Sequence, residues 1–357
     1  YVISAEDEKT SPYYGVPYTS IGKKHANEVG FFVQDEWNVT PKLTVVPGIR
    51  VDSHSSGEEY ATSVKVSDSA FPTTKFSKTT VNPRIAIKYE LTPSLVLRAN
   101  VGTGFRAPYG FSEDLHLCSG SPRVWKSSNL KGERAISYNL SADYYAKKYQ
   151  FSINIFRTNL KDKIQFSPAD DEVKKFGYSY QWENVDDAYV QGVELGAKAN
   201  LFRNFNAGIN WTFNQGKFKH ERADWSDPND ETVKEFPQRL QYAKDSRNIS
   251  RFPAMTGDID LDYTPGTWTF SLTSSLQGRM FIDYNSEDDG ATSKIKKTNT
   301  FMIFNCRAAK RFGTCTVYAG AKNIFSYIQD EKHTDDAAFM YAPVYGATWY
   351  VGLSVKL

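Results

Sequence analysis

Residues 81–108 read VNPRIAIKYELTPSLVLRANVGTGFRAP, two runs of alternating polarity joined by Leu91-Thr92-Pro93-Ser94. In the first run Val81, Ile85, Ile87 and Tyr89 share one parity, and Asn82, Arg84, Lys88 and Glu90 share the other. In the second, Leu95, Leu97, Ala99 and Val101 oppose Arg98, Asn100, Gly102 and Gly104. A period of two sends alternate side chains to opposite faces, so each run is a strand and the two form a hairpin. One face of that hairpin is apolar and the other is charged. A soluble sheet would turn the charged face to water and the apolar face to a core. A transmembrane barrel reverses this, with lipid outside and a wet lumen inside. Alternation by itself permits both.

The same unit recurs on either side. Val29, Phe31 and Val33 lead to the turn Thr40-Pro41-Lys42 and return through Leu43, Val45, Ile49 and Val51. Tyr138, Leu140, Ala142 and Tyr144 turn at Lys147-Lys148 into Phe151, Ile153 and Ile155. Val193, Leu195 and Ala197 turn at Arg203-Asn204 into Phe205, Ala207, Ile209, Trp211 and Phe213. Ile259, Leu261 and Tyr263 turn at Thr264-Pro265-Gly266 into Trp268, Phe270 and Leu272. Phe304, Cys306 and Ala308 turn near Arg311 into Val317 and Ala319, and the chain closes on Ala347, Trp349, Val351, Leu353, Val355 and Leu357. Between the hairpins lie polar stretches read as loops: 53–79, 109–134, 167–175 and 217–250. Short turns thus alternate with long polar connections, the asymmetry of outer-membrane barrels with short periplasmic turns and long outer loops. A kelch-type propeller has a similar repeat length, but its blades stack face to face, and Arg98, Glu194 and Lys198 in mid-strand contradict that. The expected fold is an all-β transmembrane antiparallel β-barrel with about thirteen strands present. Arg157 breaks the outward apolar pattern and is expected near the upper rim, where an exposed cation costs little.

Composition agrees. The 357 residues carry a net charge of +2 and 15% aromatic residues, and the mean hydropathy is −0.52. Neither a nucleic-acid footprint nor a membrane helix is indicated. Low hydropathy is compatible with a barrel, half of whose strand residues are polar. Three cysteines, Cys118, Cys306 and Cys315, exclude a disulfide-dense scaffold and a cysteine-rich zinc module. There is no nucleotide loop, nucleophile elbow or zinc spacing, so no enzyme activity, cofactor or metal is expected. The chain opens on Tyr1 without Met or signal peptide and is expected to be a mature protein or a piece of one.

Gly102-Thr103-Gly104-Phe105-Arg106-Ala107-Pro108, followed by Ser128-Asn129-Leu130-Lys131-Gly132-Glu133-Arg134, resembles the FRAP and NLKPE-like boxes of TonB-dependent outer-membrane receptors. Asn184 with Gly192-Val193-Glu194-Leu195 resembles a third recurring segment of that family. The end of the chain, with Gly352, Val355 and Leu357, resembles the signal read by the barrel assembly machinery. Gly132 stands where proline is usual, and Leu357 where phenylalanine is commoner. The resemblance implies a Gram-negative outer-membrane location. It also implies active uptake of a scarce, bulky solute such as an iron chelate or siderophore, haem, cobalamin or a glycan, driven through TonB, with no chemical catalysis. It implies further that an N-terminal plug, which engages TonB, lies outside residues 1–357. With about thirteen strands counted and about 22 in plugged transporters, the chain is expected to be the C-terminal part of a larger barrel. In that frame Tyr1 to Ser4 form the upper end of an ascending strand. The rival readings are a passive channel of about fourteen strands and an outer-membrane barrel enzyme.

Candidate ligand contacts lie in the outer loops: Tyr109, Phe111, Trp125, Tyr180, Trp182, Trp225 and Tyr242, whose rings either stack on a solute or sit in the headgroup girdle. His116 lies where haem receptors of this family place an axial histidine, against the plain reading of a solvated loop histidine. Asp258, Asp260 and Asp262 suggest a cation site, but same-face neighbours about 6.6 to 7 Å apart read better as lumen wall. Lys294, Lys296 and Lys297 are either lipopolysaccharide contacts or a solvated basic loop. Cys306 and Cys315 are small wall residues unless a two-residue turn at Lys310-Arg311 brings them together. Expected partners are TonB through the upstream part, outer-membrane lipid and lipopolysaccharide, the assembly machinery and a surface lipoprotein. No nucleic acid is expected.

Overall fold

The computed structural model describes residues 2–3, 18–62, 72–109, 124–168, 170–176, 180–220, 247–249, 252–282, 296–329 and 341–356. The strands are β1 (Val2–Ile3), β2 (Tyr18–Gln34), β3 (Trp37–Thr40), β4 (Leu43–Thr62), β5 (Thr74–Thr92), β6 (Leu95–Arg106), β7 (Val124–Lys126), β8 (Glu133–Tyr145), β9 (Tyr149–Pro168), β10 (Tyr180–Phe202), β11 (Phe205–Phe218), β12 (Met255–Tyr263), β13 (Trp268–Gln277), β14 (Phe281–Ile282), β15 (Lys296–Lys297), β16 (Phe301–Phe312), β17 (Cys315–Lys322) and β18 (Thr348–Val355). One helical turn, α1 (Asp171–Lys174), interrupts them.

A single sheet runs β1-β2-β4-β5-β6-β8-β9-β10-β11-β12-β13-β16-β17-β18, with β3 paired to β4 and β7 to β10, while β14 and β15 form a separate pair. Apart from β7, which lies parallel to β10, successive wall strands are antiparallel neighbours. Leaving out the two-residue β1, thirteen strands make the wall. Among the described residues β1 pairs only with β2 and β18 only with β17, so the sheet is open along two edges.

Register carries the alternation from strand to strand. One rung row reads Val45, Ile87, Ala99, Leu140, Ile155, Val193, Phe213. The next row, on the opposite face, reads Thr44, Lys88, Arg98, Ser141, Asn154, Glu194, Thr212. Among the described residues the apolar face has no protein layer against it: Leu140 is 57% exposed and Phe31 78%. An apolar surface of that extent is stable only against hydrocarbon. The polar face is laced together within and across strands. Lys88 pairs with Glu90 at 2.7 Å, Arg98 pairs with Asp143, and Asn154 Nδ2 donates to Glu194 Oε2 at 2.9 Å.

All six short turns lie at one end. Thr40 Oγ1 accepts from Leu43 N at 3.0 Å, and Pro93-Ser94 joins β5 to β6 through the Thr92–Leu95 pair. Asn204 takes a φ of 65° and Gly266 a φ of 61° in their turns. The last hairpin turns at Gly313-Thr314, where Gly313 has a φ of 58°, rather than near Arg311. Strand β16 therefore runs on to Phe312. Cys306 faces Ala321 and Cys315 faces Phe312 on different rungs, and both thiols are free.

At the other end the strands outrun their apolar patterns. The polar stretch from Ser53, expected as loop to about Thr79, is strand as far as Thr62 on β4 and again from Thr74 on β5, paired from Ser53–Thr79 to Glu58–Thr74. Crossing hydrocarbon takes roughly 9–11 residues. Beyond that height both faces are wet, so backbone pairing continues with nothing to mark it in the side chains. Likewise β9 extends to Pro168, and part of the expected 167–175 loop is α1, whose Asp170 side chain caps Val173 N at 2.9 Å.

The face assignment gives an asymmetric expectation for mutation. Ile87→Lys or Leu353→Lys places an ammonium against lipid at a cost of about 2–4 kcal/mol near mid-depth, whereas Lys88→Leu changes a wet wall. Heat-modifiable mobility in outer membranes should show lost assembly for the first two and folded barrel for the third. Equal tolerance would refute the assignment.

Candidate functional site at the outer mouth of the wall

The long-connection end is organised by a proline. Pro83 on β5 has no N–H to offer, and β5–β6 pairing stops beside it at Arg84–Gly102. Above that rung β5 stays with β4 up to Thr74, while β6 stays with β8 up to Arg106–Glu133. The segments on either side of residues 110–123 fold over this parting. The Phe105 ring lies 4.9 Å from His54 and 5.9 Å from Phe76, with Lys78 Nζ 5.5 Å from its centre. A Cβ on Gly132 would come within 2.2 Å of the same ring, which is why glycine fits there.

Tyr109 is 3% exposed, and its hydroxyl donates to Ser127 O at 2.6 Å and accepts from Leu130 N at 3.1 Å. Burial raises its pKa above the ordinary phenol value, against the lowering effect of the Leu130 bond. Its ring is an anchor and presents no stacking surface. Strand β7 then lies along β10, pairing Val124 with Tyr180, Trp125 with Gln181 and Lys126 with Trp182. From there Lys126 reaches back to β4: its Nζ is 2.7 Å from Glu58 Oε1. Glu58 is fully buried and also accepts from Tyr60 OH at 2.8 Å, with Lys24 Nζ 3.8 Å away. The connection between the two family-like boxes is thus tied to both β10 and β4.

The boxes meet a third segment at the same place. Asn184 Oδ1 accepts from Lys131 N at 2.8 Å, and its Nδ2 donates to Lys131 O at 3.0 Å and Asp162 O at 2.8 Å. Glu133 Oε2 accepts from Ile164 N at 3.1 Å and lies 3.9 Å from Arg106 Nη1. Leu130 and Ile164 are buried beneath. Phe105, Arg106, Leu130, Glu133 and Asn184 therefore form one knot that shapes the mouth, with Gly104, Ala107, Pro108 and Asn129 as its backbone. Gly192 and Glu194 lie lower on β10, facing the lumen.

Of the other aromatic candidates, Trp125 and Trp182 are half-buried on the paired β7 and β10. Tyr180 contributes its backbone to the same pairing. Phe111, His116, Trp225, Tyr242 and Lys294 lie outside the described residues, as do the side chains of Lys296 and Lys297. Asp258, Asp260 and Asp262 face the lumen, opposite Asn210, Gly208 and Asn206. Asn210 Nδ2 donates to Asp258 at 2.8 Å and Ser271 Oγ to Asp262 at 2.5 Å. Among the described residues no three such ligands converge on a metal position. Near the C-terminus Gly352 lies under the Tyr318 ring and Gly320 under Tyr350, each pair directly opposed, which covers glycines in the last two strands. Val355 ends β18 opposite Cys315, and Leu357 is outside the described residues.

The neck of the longest connection is also closed. Lys217 bridges to Asn248, Phe218 N donates to Arg247 O at 2.6 Å, and Arg247 Nε returns a bond to Phe218 O at 3.1 Å. Asp186 accepts from His220 N at 2.7 Å and lies 3.1 Å from His220 Nδ1. Burial pushes the Asp186 pKa up, but the bonds from His220 and from Asp187 N outweigh it, leaving a net lowering. Glu58, Lys126 and Asp186 all escaped the sequence reading, because they sit where alternation has ended.

Removing one partner from a buried ion pair leaves the other uncompensated and costs roughly 3–5 kcal/mol, whereas an apolar replacement of both is often neutral. Lys126→Ala should therefore speed amide exchange at Lys126 and Leu130 while the wall remains protected. The pair Glu58→Leu with Lys126→Met should restore protection. No change in exchange on Lys126→Ala would show that the tie does not hold the segment.

Residues 4–324 match the family of TonB dependent receptor-like β-barrels. The chain is 26% identical over 266 residues to the vitamin B12 transporter BtuB of Photobacterium profundum, covering 72% of this chain and 36% of that protein. It is 21% identical over 357 residues to the ferric enterobactin receptor PirA of Pseudomonas aeruginosa, covering 94% and 42%. Among solved structures it resembles the ferric citrate transporter FecA, with a TM-score of 0.67 at 19% identity, over 95% of this chain and 46% of that one. The copper transporter OprC gives a TM-score of 0.65 at 19% identity, over 92% and 47%. The chain spans less than half the length of each of these proteins. The open meander, its lipid-facing and lumen-facing rows and this match together show that the chain belongs to the TonB-dependent receptors, a non-enzymatic family, and forms part of their outer-membrane β-barrel.

Proposed function

We propose that the chain is the C-terminal portion of the wall of a TonB-dependent transporter that takes up a bulky metal chelate, a ferric siderophore, haem or cobalamin. An upstream plug and about nine further strands would complete a barrel of about 22. The observation that carries this reading is the open sheet. Unpaired backbone groups on the edges of β2 and β18 would each cost several kcal/mol in hydrocarbon, so further strands must close the wall. Pairing of Val2–Ile3 with Thr19 and Tyr18, at the long-connection end of β2, agrees with an ascending strand arriving from upstream. A passive fourteen-strand channel would need β1 to run the full height.

The chelate class rests on the relatives, one named for vitamin B12 and another for ferric enterobactin. Energy would arrive from TonB through the upstream part, the last strand would be read by the assembly machinery, and a surface lipoprotein is a further candidate partner. The mouth described above would present the connections 110–123 and 221–246 to the solute, because the strands have both faces committed to lipid and lumen.

A strain lacking the gene, supplied with a ferric siderophore, haem or cobalamin as sole source, should lose growth on one of the three and regain it with the gene restored. Normal growth on all three would overturn the chelate reading. Deleting residues 222–240 lies inside the neck closed by Phe218 and Arg247, and should cut solute uptake roughly tenfold or more while barrel assembly persists. Unimpaired uptake would remove that connection from the site.

A further inference from the structure

The lipid-facing side of β16 and β17 is built from small residues. One outward row reads Phe205, Tyr263, Phe270, Ala308, Ala319, Val351. The next outward row sets Cys306 between Leu272 and Ala321. Aromatic rings thus give way to short side chains on β16 and β17 before Trp349 and Val351 rise again on β18. The result is a groove of about 850 Å3, floored by Cys306, Ala308 and Ala319, with Phe270 and Leu272 on one side and Trp349 and Val351 on the other. That volume falls within the roughly 300–1,000 Å3 of small-molecule sites. On β6 and β8, by contrast, Ala99 stands between Ile87 and Leu140, and a single alanine makes no trough.

A cation stands at one end of this trough. Lys310 shares the outward parity of Cys306 and Ala308 and pairs with Trp268 and Val317. Its Nζ lies 4.8 Å from the centre of the Trp268 ring and 5.0 Å from that of Phe312. Ring faces attract an ammonium and fix its position, but they do not neutralise it. Among the described residues no carboxylate pairs with Lys310. Phe312 and Cys315 flank the short turn at Gly313-Thr314. From Phe312 back to Cys306 the strand covers about 20 Å, which at a tilt of roughly 45° is about 14 Å of depth. The groove therefore occupies the half of the roughly 30 Å hydrocarbon core nearer the short turns, with Lys310 at its headgroup end. Short turns lie on the periplasmic side of outer-membrane barrels, so the groove faces the periplasmic leaflet.

We propose that this groove holds one anionic glycerophospholipid of the periplasmic leaflet, its phosphate on Lys310 and an acyl chain in the trough over Ala308, Ala319 and Cys306. Short side chains between tall ones forfeit dispersion contacts unless hydrocarbon fills the space, and a flexible chain fills it. The ammonium brings three donors, and a phosphate at its height accepts charge-assisted bonds from them. Charge then selects the headgroup. A zwitterionic phospholipid carries its own ammonium to the same place, whereas an anionic one meets Lys310 without that competition. Trp268 and Tyr263 take the boundary between headgroup and chain. Lipopolysaccharide is out of reach, because its phosphates lie across the core, about 30 Å away. The site is independent of which solute is transported.

The test uses the full-length receptor purified from outer membranes in mild detergent, with bound phospholipid measured by native mass spectrometry and folding checked by heat-modifiable mobility. Added back to delipidated receptor, phosphatidylglycerol should bind about fivefold more tightly than phosphatidylethanolamine, the effect of one cation at an anionic headgroup. Lys310→Gln should bind the two alike, at the weaker level. Ala308→Leu with Ala319→Leu fills the trough and should lower phosphatidylglycerol binding roughly tenfold or more; should that variant fail to assemble, Lys310→Gln decides. Ala99→Leu with Ala142→Leu, the same enlargement on the lipid-facing side of β6 and β8, should leave binding unchanged. Equal binding of the two phospholipids by the unaltered receptor, discrimination that survives Lys310→Gln, unchanged binding in the folded Ala308/Ala319 variant, or an equal loss in the Ala99/Ala142 control would overturn the proposal.

Discussion

The structure depends on one constraint: inside hydrocarbon there is no water to complete a backbone hydrogen bond, so each strand must satisfy its N–H and C=O groups on its neighbours. A meander of antiparallel strands does this with the shortest connections, and six turns at one end suffice. Once the strands are paired, the two-residue repeat sorts side chains between lipid and lumen without further choice. The row from Val45 to Phe213 and the row from Thr44 to Thr212 are the outcome, continuous across seven strands.

Above the membrane the constraint relaxes and a different logic takes over. Water can satisfy a carbonyl there, so β5 and β6 can part at Pro83, and the opening is closed by side chains and by the chain between β6 and β8. The packing is polar where a soluble protein would use a core. Glu58, Lys126, Asn184 and Glu133 spend their hydrogen-bonding capacity on backbone groups and on each other. Buried charge of this kind adds little net stability over apolar packing, but it specifies one arrangement, because any other leaves a charge unpaired. A mouth that must present connections in a defined geometry has a use for that property.

The two faces of the wall at this height differ in how they handle charge. Inside, several cations meet carboxylates, as Arg50 does Asp52, Arg98 does Asp143 and Lys126 does Glu58. Outside, Asn159, Gln191 and Tyr189 hold Arg157, and among the described residues no carboxylate pairs with Arg134 or Lys161, which stand directly opposed. A protein surface in water would carry bare cations at little cost. Cross-strand opposition makes these two different, since like charges directly opposed repel at short range.

The alternation of Val81 to Pro108 and its echoes determined the fold class, the face of each strand and five of the six turns, because a strand in a membrane writes its environment into every second residue. Family-like boxes at Phe105, Asn129 and Asn184 were legible as words but not as a structure. Only the tertiary arrangement decided that they converge, that Tyr109 is an anchor, and that Glu58 meets Lys126 across 68 residues of chain. It alone decided that Ser53 to Glu58 continue as strand, and that Gly313, with its positive φ, sets the last turn beyond Arg311. The reason is the same in each case: outside hydrocarbon, polarity no longer alternates with depth, so pairing leaves no periodic trace, and long-range polar contacts depend on which strands the fold brings side by side.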